Sequence, residues 1–269
     1  MSYHTIETEI RDRIGILTFN RPKVLNAFDP VLVEETGAAL AALNAGDDVK
    51  AILVRGAGRA FSAGFDLKAA AATAGERSVQ EWRAVLEADY RFIMGFWDSP
   101  KPTVAAVHGY CIGGAFELSL ACDVTVAAAG TKFGSPEVKF GSGAVALLLP
   151  WIAGPKAAKE LLLTGDDKLT ADRALALGIV NKVVPDGEEL EAALEIARAM
   201  ASAAPDAVRL TKLAINRSYE AMGLKAALAA ALELDVVIEA GGGAERSEFD
   251  RIRREEGLAA ALAWRDKRR

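Results

Sequence analysis

The stretch PTVAAVHGYCIGGAFELSLACDVTVAAAGTKFGSPE, residues 102–137, decides the fold. A short apolar run, residues 103–107, leads into a Gly-rich turn, residues 108–114. A short apolar segment follows and carries one carboxylate, Glu117. A second apolar run, residues 124–129, opens a loop that ends in another carboxylate, Glu137. This reads as strand, turn, helix, strand, an alternation that predicts parallel strands joined by helical crossovers. The fold class is therefore α/β.

The flanks repeat the pattern. Residues 5–19 read as two strands with a turn near residues 11–13, ended by Pro22. Asp29 before Pro30 is a helix start, and Val33, Leu40 and Leu43 follow at helical spacing up to Gly46. Residues 49–54 form a continuous apolar run, as expected of a strand buried on both faces. A Gly/Ala/Ser loop, GAGRAFSAGFDL, covers residues 56–67; the low-complexity residues 69–74 are expected to be mobile. A helix is expected over residues 79–96, stopped by Asp98-Ser99-Pro100. Beyond the focal stretch come a helix at residues 156–163, a short helix capped by Thr170 and ending at Gly178, and a last strand at residues 179–184. From Glu188 on the chain is Ala-, Leu- and Glu-rich, with helices expected at residues 205–221, 224–239 and 244–264. The composition change divides the chain into a core, residues 1–200, and an appended helical region, residues 201–269.

Composition excludes several functions. The 269 residues carry a net charge of −5, which argues against a nucleic-acid partner. The one dense basic cluster, residues 265–269, is interrupted by Asp266 and reads as a solvated helix end. No apolar run approaches the roughly 18–20 residues needed to span a membrane, and the opening residues MSYHTIETEIRDR contain no signal-peptide core. Cys111 and Cys122 lie in apolar sequence and read as reduced core residues of a cytoplasmic protein. His4, His108, Cys111 and Cys122 show no metal-ligand spacing, so no metal is expected.

Two glycine loops and two acids carry the chemistry. Gly113-Gly114 immediately before a helix leaves backbone N–H groups exposed at a positive dipole end, suited to an oxygen that becomes negative. The alternative is a tight turn in a packed corner. The loop AFSAGFDL, residues 60–67, also follows a buried strand. It lacks the Gly-Lys-Ser/Thr of a phosphate loop and the third glycine of a dinucleotide fingerprint. If both loops converge at the carboxyl ends of adjacent strands, one N–H from each makes an oxyanion hole, each donor lowering a barrier by about 3 kcal/mol. Glu117 in an apolar segment is costly unless paired or hydrated, and Glu137 taken alone is an ordinary loop acid. Together they suit general acid–base work, and neighbouring carboxylates push one pKa upward, giving one acid and one base near neutral pH. His108 ends a strand and is a weaker catalytic candidate. Ser62 and Ser119 show no His–Asp partners.

In order along the chain, NRPKVLNAF (residues 20–28), GAGRAFSAGFDL (56–67), KPTVAAVHGYCIGGAFELSLACDVTVA (101–127), KFGSPEV (132–138), AKELLLTGD (158–166) and ALGIVNKVVP (176–185) resemble the enoyl-CoA hydratase/isomerase (crotonase) family. The resemblance covers nearly the whole chain. It implies a spiral of ββα units with a C-terminal helical region used in trimerisation, and a trimer or dimer of trimers that binds acyl-CoA thioesters. By position, the oxyanion-hole donors are the backbone N–H groups of Phe65 and Gly114, and the catalytic acids are Glu117 and Glu137. Lys23, Val24, Leu25, Ala63, Gly64 and Asp66 match the parts that hold CoA. No cofactor is implied, CoA being part of the substrate. Both acids favour hydration of a 2-enoyl-CoA; double-bond isomerisation and a non-catalytic CoA-binding scaffold are the alternatives. One segment departs: where the family often reads PGxGGTQRL, this chain reads VKFGSGAVALLLPWIAG, residues 138–154. Leu147, Leu148, Leu149 and Trp151 there either line an acyl pocket or form a buried helix face.

Overall fold

A computed structural model describes residues 3–67 and 77–267; the expected mobile stretch, residues 69–74, lies outside them. The first strands, β1 (Ile6–Arg11) and β2 (Ile14–Phe19), form the expected hairpin, with Asp12 and Arg13 both at positive φ in the turn. The main sheet continues in parallel through β3 (Ala51–Gly56), β4 (Thr103–Val107), β6 (Val124–Ala128) and β9 (Lys182–Val184), in the order β1-β2-β3-β4-β6-β9. A second sheet, in the order β5-β7-β8, is built from β5 (Tyr110–Ile112), β7 (Lys132–Gly134) and β8 (Leu169–Thr170). These three strands were expected to be turn and loop. They are two or three residues long, too short to show a period, and exist because parallel β5–β7 and antiparallel β7–β8 pairing satisfies their backbone.

The repeat is a main-sheet strand, a short strand in the second sheet, then a helix. It holds for β4, β5 and α3 (Gly114–Ala121), and Ser62 joins the second sheet through a bridge to Cys111 before α2 (Val79–Trp97). The first helix, α1 (Pro30–Ala45), starts where expected: Asp29 Oδ1 accepts from the Leu32 N–H at 2.9 Å, with Pro30 in the first turn. Helix α2 begins at a capping box of Ser78 and Glu81. Then follow α4 (Leu149–Ile152), α5 (Gly154–Thr164), α6 (Ala171–Ala176), capped by Thr170, and α7 (Glu189–Ser202).

Strand alternation divides the core in two. Ile14, Ile16, Leu53, Val104 and Val126 face α7, which lays Ala193, Leu194 and Ala197 on them. Leu17, Phe19, Ile52, Val54 and Val107 point the other way, into a larger cluster with residues of α1, α2 and α3. Both faces of the sheet are thus buried, as the continuous apolar strand requires. The last helices are α8 (Pro205–Ala221), α9 (Leu224–Gly241), α10 (Ala244–Glu255) and α11 (Leu258–Lys267). The single helix expected over residues 244–264 is two, broken at Gly257, whose φ of +91° suits glycine. Helix α8 is tied to the core by Lys212, whose Nζ lies 2.8 Å from Asp123 Oδ2 and donates to the Phe96 and Lys101 carbonyls. Helix α9 packs on α2, which brings the C-terminal region to the site.

Candidate active site

The two glycine loops leave the carboxyl ends of β3 and β4 and are laced together. Phe61 N–H donates to His108 O, Ser62 N–H to Tyr110 O, and Ile112 N–H to Ser62 O. The first loop is also held from the N-terminal side. Buried Asn26 donates through Nδ2 to the carbonyls of Ala57, Ala60 and Phe61, while its Oδ1 accepts from the Arg21 N–H. Ala63 N–H donates to Leu25 O at 2.9 Å, which joins the two segments expected to hold CoA.

This lacing uses most of the amides from Phe61 to Asp66. Gly113 N–H donates to Gly134 O, Gly64 N–H to Ser62 Oγ, and Asp66 N–H to Phe28 O. Among the described residues, the N–H groups of Phe65 and Gly114 donate to no protein acceptor. Both residues line one cavity of about 900 Å³. Glycine is required at two places here. Gly113 has φ +60°, and a Cβ there would stand 2.5 Å from Glu137 Oε1. A Cβ on Gly114 would overlap the Phe65 ring.

Glu117 and Glu137 line the same cavity. Glu117 lies one turn into α3 and is buried. Its carboxylate accepts from the Val145 N–H at 3.1 Å and the Ala146 N–H at 2.7 Å. The segment that departs from the family pattern therefore supplies the donors that fix Glu117. Burial first, then the charge of Glu137, hold the Glu117 carboxyl well above the usual range. Glu137 follows β7 in a 3₁₀ turn, Glu137–Phe140, and accepts from Ser135 Oγ at 2.6 Å. Burial pushes it up to about 7, opposed by the Ser135 hydrogen bond and the Arg265 charge. The two acids cannot easily both be ionised, so near neutrality the pair holds a proton.

Lys23, Val24, Leu25, Ala63 and Asp66 also line the cavity. Asp66 Oδ2 is ion-paired with Arg21 at 3.1 Å. Gly64 lies just behind the wall, where its φ of +81° and the Ile112 carbonyl, 2.5 Å from a would-be Cβ, exclude a side chain. His108 is not at the site: its Nε2 lies 2.9 Å from Gly58 O and its Nδ1 3.7 Å from Glu189. Ser62 and Ser119 hydrogen-bond to backbone carbonyls. Leu148 and Leu149 are buried in the core with Leu147 and Trp151 packed against it, so these four pack the core rather than line the cavity, and of them only Leu149 and Trp151 lie in a helix.

Several cavity residues escaped the sequence reading. Arg265, expected at a solvated end, is instead ion-paired with Asp167 at 3.0 Å and lines the cavity. The correction arises because α11 folds back over the cavity, with Leu258 and Leu262 beside Arg265. Asp89 on α2 and Asp235 and Glu239 on α9 also line it, as does Arg246 on α10. Burial pushes Asp89 and Asp235 up to about 7. A signal was present: Asp235 and Glu239 lie four apart in an apolar helix, a repulsive spacing that helices avoid without a use for it.

Comparison with known proteins identifies the family. The enoyl-CoA hydratase/isomerase family model matches residues 9–240. The chain belongs to the enoyl-CoA hydratase/isomerase family. A crotonyl-CoA hydratase of Syntrophomonas wolfei is 35% identical over 224 residues, covering 82% of this chain and 84% of the relative. A short-chain-enoyl-CoA hydratase of Clostridium acetobutylicum is 33% identical over the same shares. The crystal structure of an enoyl-CoA hydratase/isomerase from Xanthobacter autotrophicus Py2 is similar throughout. It has a TM-score of 0.97 and 46% identity, covering 100% of this chain and 99% of that one. The crotonase spiral expected from the family motifs is thus the fold of this chain.

Proposed function

We propose that the protein is an enoyl-CoA hydratase, a hydro-lyase that adds water across the 2,3 double bond of an enoyl-CoA thioester. The observation that carries this reading is the convergence of two unengaged N–H groups, Phe65 and Gly114, with two carboxylates in one cavity. The thioester carbonyl oxygen accepts from both N–H groups, which favour it most as it becomes an enolate oxygen. Glu117, positioned by the Val145 and Ala146 amides, takes a proton from water in its carboxylate form as the water oxygen bonds to Cβ. Glu137 delivers a proton to Cα, and the enolate collapses to the saturated thioester. Lys23, Val24, Leu25, Ala63, Gly64 and Asp66 form or back the CoA end. The chemistry is proton transfer and water addition, so no cofactor is invoked beyond the CoA of the substrate.

Incubating the enzyme with crotonyl-CoA in oxygen-labelled water tests this. Hydration consumes the conjugated absorbance and puts label in a 3-hydroxy product. A moved double bond without label would mean isomerisation instead, and CoA binding without turnover of any enoyl-CoA would mean a scaffold.

The pH profile carries a second expectation. The acid form of Glu137 is lost as pH rises through about 7, so kcat/KM falls on the alkaline side near that value. The Ser135 hydroxyl stabilises the charged form. Ser135→Ala raises the Glu137 pKa and moves this limb to higher pH by about one unit, measured from kcat/KM against pH.

The proposal extends to self-association as a trimer or dimer of trimers. Leu234, Val237 and Ile238 form one stripe on α9 and are 67%, 68% and 44% exposed, a surface that suits burial against another copy. Leu234→Asp with Val237→Asp is expected to yield monomers in light scattering, where wild type gives trimers. A cytoplasmic location is proposed with it, supported by two buried, unpaired cysteines. Among the described residues, no helix is long and apolar enough to cross a membrane.

A further inference from the structure

The cavity contains an acidic group that hydration does not use. Asp235 is 2% exposed, and among the described residues neither of its carboxylate oxygens has a hydrogen-bond partner. The Gly143 N–H lies beside it without closing a bond of normal geometry. Its neighbours are occupied. Glu239 pairs with Arg246 at 2.8 Å and accepts from Ser142. Arg246 also reaches Asp250 Oδ2 at 3.2 Å and stands over the Trp82 ring at 5.7 Å. Arg246 is thereby committed to Glu239, and Asp235 is left as a buried acceptor on the cavity wall.

Buried carboxylates without donors are rare because each loses its hydration uncompensated. Both Asp235 oxygens are closed off from solvent as well as unpaired. A purely apolar acyl chain leaves them bare, whereas a chain that brings an O–H or N–H to this wall supplies the missing donor. Asp235 lies against Gly143, where a Cβ would stand 2.2 Å from its Oδ1, and Val145, two residues on, holds Glu117, so this wall adjoins the reacting carbons.

We infer that Asp235, backed by Glu239 and Arg246, is a specificity-determining subsite that takes an acyl chain carrying a hydrogen-bond donor, a hydroxyl or an amine, beyond the reacting carbons. This rests on the acyl-CoA reading of the cavity, and its test is independent of turnover. Calorimetry compares wild-type binding of hexanoyl-CoA with that of its γ-hydroxy, δ-hydroxy, ω-hydroxy and ω-amino derivatives. At least one derivative binds about ten- to a hundredfold more tightly, the range expected for satisfying a buried acceptor. If the ω-amino compound is that one, the donor is a cation; if a hydroxy compound is, the donor is neutral. Asp235→Leu abolishes the preference by weakening the favoured derivative and strengthening hexanoyl-CoA. Asp235→Asn, which keeps an acceptor of the same size, retains preference for a hydroxyl. Equal binding of all five ligands by wild type, or a preference that survives in a folded Asp235→Leu protein, overturns the inference. Hydration of crotonyl-CoA is measured separately. Its failure alongside a clear donor preference would remove the proposed reaction and leave the subsite standing.

Discussion

Glu137→Gln is expected to lower kcat/KM for crotonyl-CoA by about 10²–10⁴-fold, the loss typical when a positioned proton donor is removed. The variant should fold. Gln is isosteric, and the Ser135 hydroxyl that now donates to Oε2 can turn to accept from an amide. Glu117→Gln should lose comparable activity but behave differently as a protein. Both Glu117 oxygens accept backbone N–H groups, from Val145 and Ala146. A Gln side chain must aim its NH₂ at one of those donors, leaving an unsatisfied pair in a buried place, which costs about 1–3 kcal/mol. Steady-state kinetics together with thermal melts separate the two cases. A Glu137→Gln enzyme within a few-fold of wild type would remove Glu137 from the chemistry. A Glu117→Gln protein with an unchanged Tm would show that the amide cradle does not hold the acid.

Gly114→Ala is expected to lower kcat by about 10²–10³-fold, the loss seen when an oxyanion donor is displaced. A Cβ at this position overlaps the Phe65 ring. Either the ring or the start of α3 must move, and both carry a donor of the proposed hole. One methyl group therefore disturbs the hole on its Phe65 side or its Gly114 side. The effect is steric, because alanine inside a helix is otherwise favoured over glycine by roughly 0.5–1 kcal/mol. Gly37→Ala in α1 is the matched control: nothing lies within 4 Å of its would-be Cβ, so stability should hold or rise and activity should not change. Equal activity of Gly114→Ala and wild type would mean that Phe65 and Gly114 do not polarise the carbonyl.

The regular elements were legible because their signals are local. Asp29-Pro30 set the start of α1, whereas the Ser78–Glu81 capping box at the start of α2 went unread. The apolar residues of Ile14–Phe19 marked a strand, and the continuous apolar run at residues 49–54 marked one buried on both faces. The β3 boundary moved from residues 49–54 to Ala51–Gly56, because pairing with β2 and β4 sets a strand's ends. Three short strands were invisible for the same reason. The acids divide along this line too. Glu117 and Glu137 sit next to glycine turns and strand ends, which drew attention to them. Asp89, Asp235 and Arg265 lie on helices far from those turns and gain meaning only from packing.

Sequence by itself determined the alternation of strands and helices, the two glycine loops, and the family, since each depends on residue types at fixed local spacing. Tertiary structure alone decided that Phe65 and Gly114 present free amides to one cavity, because only the lacing of the two loops shows which N–H groups remain unspent. It likewise decided that Val145 and Ala146 hold Glu117, and that α9 brings Asp235 to the same wall. Burial and hydrogen-bond satisfaction are properties of what surrounds a group, and for these residues the surroundings come from distant parts of the chain.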